Sequence, residues 1–289
     1  MPHAPTPPDI RLVVTDMDGT LLDGDGRIPG GLWPRLERMR ERGIRFAPAS
    51  GRQYATLARQ FAHAAEAMHD MVFVAENGAY VVRDGQELSS STLDRAFVTD
   101  LVKTARDLAV DGVEAGVVVC GKRAAYVERT DAQFLAEAGK YYASLQQVDD
   151  VTQVEDEIIK IAVYDFGQAE RTTAPALARF ADTHQVVVSG QHWVDIMNAD
   201  TNKGTALRAL QRELGITPAQ TMVFGDYLND LEMLDAAEWS YAMAEAHPEV
   251  RRRARYTAPS HREQGVLHVL DSVLGLGDDA TGITEVTGA

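Results

Sequence analysis

Apolar and polar positions alternate along the chain in two rhythms. Short apolar runs at 11–15 (RLVVT, with Ile10 just before), 44–48 (IRFAP) and 71–75 (MVFVA) read as strands. Between them lie amphipathic stretches. Residues 31–42 predict a helix that tolerates Pro34 near its start and stops at Gly43, and 52–62 predict a second. Strand and helix alternate at 10–15-residue spacing, which is the pattern of βαβ units and a parallel sheet.

The rhythm changes after about residue 84. The pattern predicts helix 92–109, strands 115–120 and 124–128, helix 131–144, strand 158–165, helix 168–184, and strands 186–190 and 193–198. A helix-strand-strand unit stands at both ends of this stretch, a weak internal echo rather than a repeat. The first style then returns with helix 203–214, strand 221–224, helix 229–236, strand 239–242 and two short helices at 247–255 and 263–273. The expected organisation is an α/β domain in two parts, 1–83 and 200–275, interrupted by an α+β insertion at 84–199. Residues 1–9 read as a disordered arm and 276–289 as a flexible tail. Arg83-Asp84-Gly85 and Ala199-Asp200-Thr201, polar and without long apolar runs, are the expected linkers.

Composition narrows the functional classes. The 289 residues carry a net charge of −15, and 84–199 alone carries −9. Such acidity disfavours nucleic acid and anionic membranes as partners. The single cysteine, Cys120, excludes an internal disulfide framework and a multi-thiolate zinc site. No run approaches the ~20 apolar residues that span a bilayer, and the N-terminus has no secretory pattern. A cytoplasmic monomer or homodimer is the expectation.

Four motifs carry candidate chemistry, each at a strand-to-helix junction, where open α/β sheets bind their ligands. Asp16-Met17-Asp18-Gly19-Thr20-Leu21-Leu22 puts two carboxylates after the first strand, able to hold a hard cation or to divide nucleophilic and proton-transfer work. Ser50-Gly51-Arg52 offers a hydroxyl and backbone N–H groups to an anion. Lys203, before Gly204, opens a helix where the dipole disfavours a cation. Gly225-Asp226-Tyr227-Leu228-Asn229-Asp230 adds two carboxylates and an amide after another strand. Singly, each has a plainer reading: a polar turn, a helix cap, a solvated lysine, an Asn/Asp cap cluster. Independent chance would have to put all four at the same kind of junction.

Together these residues resemble the haloacid dehalogenase (HAD) superfamily of phosphatases, and most closely its Cof-type (IIB) hydrolases with a C2 cap. Asp16 to Leu22 match the DxDGTLL motif, Ser50-Gly51-Arg52 the second motif, Lys203-Gly204 the third and Gly225 to Asp230 the GDxxND motif. The match covers about 11–273, and Asn77-Gly78-Ala79 and Gly265-Val266 also look like that subfamily. The resemblance implies a Rossmann-like parallel-sheet core with an inserted α+β cap. It makes Asp16 the nucleophile and Asp18 the acid/base. It gives Mg2+ to the Asp16 carboxylate, the Asp18 carbonyl and Asp226. Phosphoryl binding falls to Ser50, Gly51, Lys203 and Asn229, Lys203 counting also among the catalytic residues, with Asp230 orienting Lys203 or a metal-bound water.

Two positions depart from that pattern. Met243-Ala244-Glu245-Ala246 stands where many relatives have M-G-N-A, and His261 where they carry Asn in S-N-x-x-D-G-V. The expected activity is Mg2+-dependent hydrolysis of a small phosphorylated metabolite through an aspartyl-phosphate. The alternatives are a phosphomutase or dedicated sugar-phosphate phosphatase of the same superfamily, and a phospho-acceptor signalling module. Asp18 argues against the last, because it supplies the proton chemistry of hydrolysis. His63 and His69 read as surface histidines and Arg251-Arg252-Arg253 as a solvated helix face; Trp193, which with His192 offers a substrate contact from the cap, reads rather as a residue of the cap core.

Overall fold

Long apolar strands dictate the architecture of the computed structural model, which describes residues 8–62, 70–110, 112–189 and 191–277. The expected arm (apart from residues 8 and 9), the tail beyond 277, His63 and His69 lie outside the described residues. An eight-stranded sheet runs β14-β13-β12-β1-β2-β3-β4-β5. Its strands are β1 Leu12–Asp16, β2 Arg45–Ala49, β3 Val72–Ala75, β4 Tyr80–Arg83, β5 Gln86–Ser90, β12 Thr221–Gly225, β13 Trp239–Met243 and β14 Tyr256–Ala258. A six-stranded sheet runs β10-β11-β9-β6-β7-β8, from β6 Ala115–Gly121, β7 Ala125–Val127, β8 Leu145–Gln147, β9 Ile158–Asp165, β10 His184–Val188 and β11 Trp193–Asn198. The fold is thus a mixed α/β structure with a parallel core sheet.

The chain divides into two compact units: Met1–Pro48, His63–Val72 and Leu210–Ala289 form the first, and Ala49–Ala62 with Phe73–Ala209 the second. In the first unit β1 pairs parallel with β12, Leu12 opposite Thr221 and Thr15 opposite Phe224, and β12 pairs parallel with β13. Every residue of β1 and β12 is buried, as in a sheet covered on both faces. Burial of such a side chain contributes about 1.5–3 kcal/mol, so the central strands fix the frame from which the motif loops emerge. Helices α1 Leu32–Glu41, α7 Leu231–Leu234, α8 Pro248–Arg253 and α9 Gly265–Leu274 belong to this unit. Arg251, Arg252 and Arg253 are exposed in the last turn of α8, the solvated face expected of them.

In the second unit the six-stranded sheet is mostly antiparallel, with β9 at its centre between β6 and β11. One face packs under α3 Arg95–Val110 and α5 Thr173–Leu177 through Leu101, Leu177, Val119, Ile161 and Ile196. The other carries α4 Ala132–Tyr141, whose Phe134 and Ala138 meet Val118, Ala162 and Trp193. Trp193 is therefore a core residue, ringed by Tyr141, Tyr142 and Tyr164. Helices α2 Tyr54–Phe61 and α6 Lys203–Leu214 (as far as Ala209) complete the unit.

Two local expectations are corrected. Arg83-Asp84-Gly85 is not a linker but the tight turn of the β4–β5 hairpin, with Asp84 and Gly85 at φ 50° and 73°. An Asp-Gly pair adopts that left-handed turn readily. Segments 91–92 and 198–201 lie side by side instead: Ser91 Oγ accepts from Asn198 Nδ2 (3.0 Å) and Thr201 Oγ1 (2.9 Å). The helix expected at 168–184 is only α5 and a following 3-10 turn. Gly167 N and the Thr172 and Thr173 hydroxyls all donate to the Asp165 carboxylate, winding the preceding segment into a turn.

Candidate active site

In the first unit the chain reverses sharply after β1. Leu22 N donates to Met17 O across a wide turn (2.9 Å), and Gly19 sits at φ 81°. A Cβ on Gly19 would lie 2.5 Å from Asp226 Oδ2, so only glycine lets the two motif loops approach. Thr20 Oγ1 donates to Asp226 Oδ1 (2.9 Å), tying the first motif to the fourth. Asp230, fully buried, accepts through Oδ2 from Asp226 N (3.0 Å) and Tyr227 N (3.2 Å), which fixes the GDxxND loop against itself.

The outcome is a group of three carboxylates. Asp16, Asp226 and Asp230 each bring an oxygen within 4.8 Å of the others, with Asp16 and Asp230 buried and Asp226 half-buried. Like charges this close repel unless a cation or protons compensate. An all-oxygen donor set suits a hard divalent ion such as Mg2+, so these residues fit the metal that the motif pattern implies. Asp18 is exposed on the same turn, and its carboxylate is not in this group. Asn229 is exposed in the 3-10 turn Leu228–Asp230.

The second unit holds the other motifs. Ser50 is buried, and its backbone is held at both ends: Ser50 N donates to Val74 O and Ser50 O accepts from Asn77 N, each at 2.9 Å. Its hydroxyl accepts from Arg52 N (3.2 Å). Ser50 is not the cap of α2, which begins four residues later behind Gln53. Lys203 is no solvated lysine: it is wholly buried as the first residue of α6. Asn202 caps that helix, its Oδ1 accepting from Thr205 N (2.7 Å). A lysine buried this way stays charged only beside compensating groups.

Between these two motifs lies a turn whose full role the sequence did not disclose. Glu76, Asn77 and Gly78 follow β3 with φ of 49°, 55° and 96°. The two non-glycine residues there cost about 1–3 kcal/mol each. Glu76 N donates to Arg52 O (3.1 Å), and a Cβ on Gly78 would stand 2.6 Å from Asn202 O. The Glu76 carboxylate, 1% exposed, pairs with the Lys160 ammonium of β9, 4% exposed by side chain. Burial pulls the Lys160 ammonium down, and the groups around it, Glu76 first and then Tyr142 and Asp195, more than offset it, leaving it well above its ordinary value. One signal in the sequence pointed here: a lone lysine inside the apolar strand Ile158-Ile159-Lys160-Ile161 needs a buried partner. Thr20, inside the first motif, carries no local sequence signal of its bond to Asp226. The departures Glu245 and His261 lie together in the first unit, at the turn before α9.

The haloacid dehalogenase-like hydrolase family matches residues 13–270. The 5-amino-6-(5-phospho-D-ribitylamino)uracil phosphatase of Escherichia coli K12 is 33% identical over 268 residues, 92% of this chain and 96% of that protein. An HMP-PP phosphatase of Cronobacter sakazakii is 26% identical, covering 83% and 86% respectively. Among solved structures, a Streptococcus mutans protein superposes with a TM-score of 0.79 at 28% identity, over 92% of this chain and 99% of that one.

Proposed function

The chain belongs to the haloacid dehalogenase-like hydrolases, as a Cof-type phosphoric monoester hydrolase acting on a small phosphorylated substrate, and from that premise we propose a Mg2+-dependent reaction through an aspartyl-phosphate. The carboxylate group of Asp16, Asp226 and Asp230 carries this reading. A phosphate can approach a protein of net charge −15 only where positive charge is concentrated locally. Asp16, Asp226 and the Asp18 carbonyl would hold the ion, which would supply part of that charge beside the phosphoryl oxygens.

The residues then divide the work. A carboxylate oxygen of Asp16 attacks phosphorus and the bond to the leaving oxygen breaks. Asp18, exposed on the turn after β1, gives that oxygen its proton. It then takes a proton from the water that attacks the aspartyl-phosphate, releasing inorganic phosphate and restoring Asp16. Ser50, the Gly51 backbone, Lys203 and Asn229 bind the phosphoryl oxygens, and Asp230 holds the fourth motif in shape. Residues 91–199, which leave and return beside Ser91, act as a cap that selects the leaving group. Their net −7 favours neutral or modestly charged leaving groups over polyphosphates.

The relative named for 5-amino-6-(5-phospho-D-ribitylamino)uracil supports a phosphate ester on a small polyol-bearing metabolite as the substrate class. Phosphate release should be measured with that compound, with hexose phosphates and with p-nitrophenyl phosphate. Acid quench during turnover, borohydride reduction of the acyl phosphate and mass spectrometry of the Asp16 peptide test the covalent route. Conversion of Asp16 to homoserine is expected. Phosphate release with no reduced Asp16 peptide refutes the intermediate, and no release from any ester refutes the activity.

A further inference from the structure

We propose that Lys160 and Glu76 form a positioning pair, through which the six-stranded sheet holds the turn that aligns both phosphate-binding motifs of the second unit. The inference rests on the phosphatase reading above and names residues outside the four motifs.

The turn Glu76-Asn77-Gly78 touches both motifs. Through Asn77 N it fixes the Ser50 carbonyl, through Glu76 N the Arg52 carbonyl, and at Gly78 it packs on the Asn202 carbonyl that precedes Lys203. A left-handed turn of this kind persists only where its surroundings over-determine it. Lys160 provides that constraint, reaching Glu76 from a strand 84 residues further along the chain.

Stability alone gives little reason for such a pair. Both side chains are buried, and Glu76 Oε1 has no hydrogen-bond partner among the described residues. Apolar residues of similar volume usually serve a core as well or better than an incompletely bonded ion pair. The lysine also sits 5.3 Å from the centre of the Tyr142 ring, so the sheet side of the contact is built around the cation. What the pair supplies beyond core packing is a fixed place for the Glu76 backbone, and with it the Ser50 backbone and the start of α6.

The test uses the full chain, with inorganic phosphate as competitive inhibitor of p-nitrophenyl phosphate hydrolysis, and thermal melting measured in parallel. Glu76→Gln and Lys160→Met should each weaken phosphate inhibition at least tenfold and raise KM similarly, with kcat per folded enzyme changed less than threefold. Lys160→Arg, which keeps the charge, should stay within threefold of the parent. The double variant Glu76→Gln/Lys160→Met leaves no unpaired charge, so it should melt at or above the single variants while its phosphate binding remains weak. That split between recovered stability and unrecovered binding is the signature of positioning. Variants that melt early yet bind phosphate like the parent overturn the proposal, as does a double variant that regains both properties. Should the single variants fail to fold, the double variant and Lys160→Arg decide. A parent protein that neither hydrolyses the ester nor binds phosphate refutes the phosphatase reading itself, a result distinct from any difference among variants.

Discussion

Glu245 and His261, the two positions where the chain departs from its family's pattern, are bonded to each other. The Glu245 carboxylate accepts through one oxygen from His261 Nδ1, from His261 N (3.1 Å) and from Ser260 Oγ (2.8 Å). Glu245 and His261 thus form a matched acid and imidazole. Replacing either residue alone by Asn should destabilise the protein by about 0.5–2 kcal/mol, and the double replacement by less than the sum, with a coupling of about 0.5–1 kcal/mol for this partly exposed pair. Urea unfolding of the four proteins measures the cycle, and strict additivity would contradict the coupling.

The same carboxylate gives a pH signature. Burial pushes Glu245 up, but the donors from Ser260 and His261 outweigh it and hold its pKa below the ordinary glutamate range. A depressed folded pKa stabilises the native state above the unfolded pKa of about 4.3. That contribution is lost as pH falls through the lower folded value. The stability difference between the parent and Glu245→Gln should therefore be constant from about pH 6 to 5 and shrink toward pH 3. A difference that grows on acidification would reverse the assignment.

Asp16→Asn should retain the fold and lose turnover. The residue ends a fully buried strand and the amide is isosteric, so the melting temperature should move little. Activity should drop below about one per cent of the parent, because nucleophile loss costs more than the 10²–10⁴ of a missing acid or base. Steady-state phosphate release at matched folded concentration decides.

Chelation should abolish activity and Mg2+ should restore it, while circular dichroism stays native. Binding at a hundred times the dissociation constant should also stabilise the parent by about 2.7 kcal/mol. Asp226→Asn should lose most of that Mg2+-dependent rise in melting temperature. An unchanged rise in the variant would remove Asp226 from the metal site.

Gly19→Ala should damage the site more than the fold. The methyl would meet Asp226 Oδ2 at 2.5 Å, and the backbone is at φ 81°. A cost of about 1–3 kcal/mol in stability is expected, with loss of activity beyond that of a surface change. Urea unfolding and kcat/KM on p-nitrophenyl phosphate check both parts.

Much of this was readable from residue order. The apolar runs at 11–15 and 221–224 became the neighbouring buried strands β1 and β12, and the motif loops follow their ends because a parallel sheet puts them there. Local chemistry was less legible where two readings share the same residues. Asp84-Gly85 is polar like a linker but turns like a hairpin. The three-residue strands β8 and β14 are too short to show a period. Contacts between distant residues, such as Thr20 with Asp226 or Glu76 with Lys160, leave almost no local trace. Lys203 is the clearest case: nothing in its neighbours distinguishes a buried lysine from a solvated one.

The stitch at Ser91 has a consequence for how such a chain diversifies. Asn198 and Thr201 both donate to that one hydroxyl, so the polypeptide departs toward the six-stranded sheet and comes back at a single point. A segment whose ends already touch can be lengthened, shortened or exchanged with little change in closure entropy, which grows only as the logarithm of loop length. The intervening hundred or so residues are, in that sense, a cassette: exchanging them at this doorway would leave unbroken the strands β1 and β12 on which the carboxylates stand.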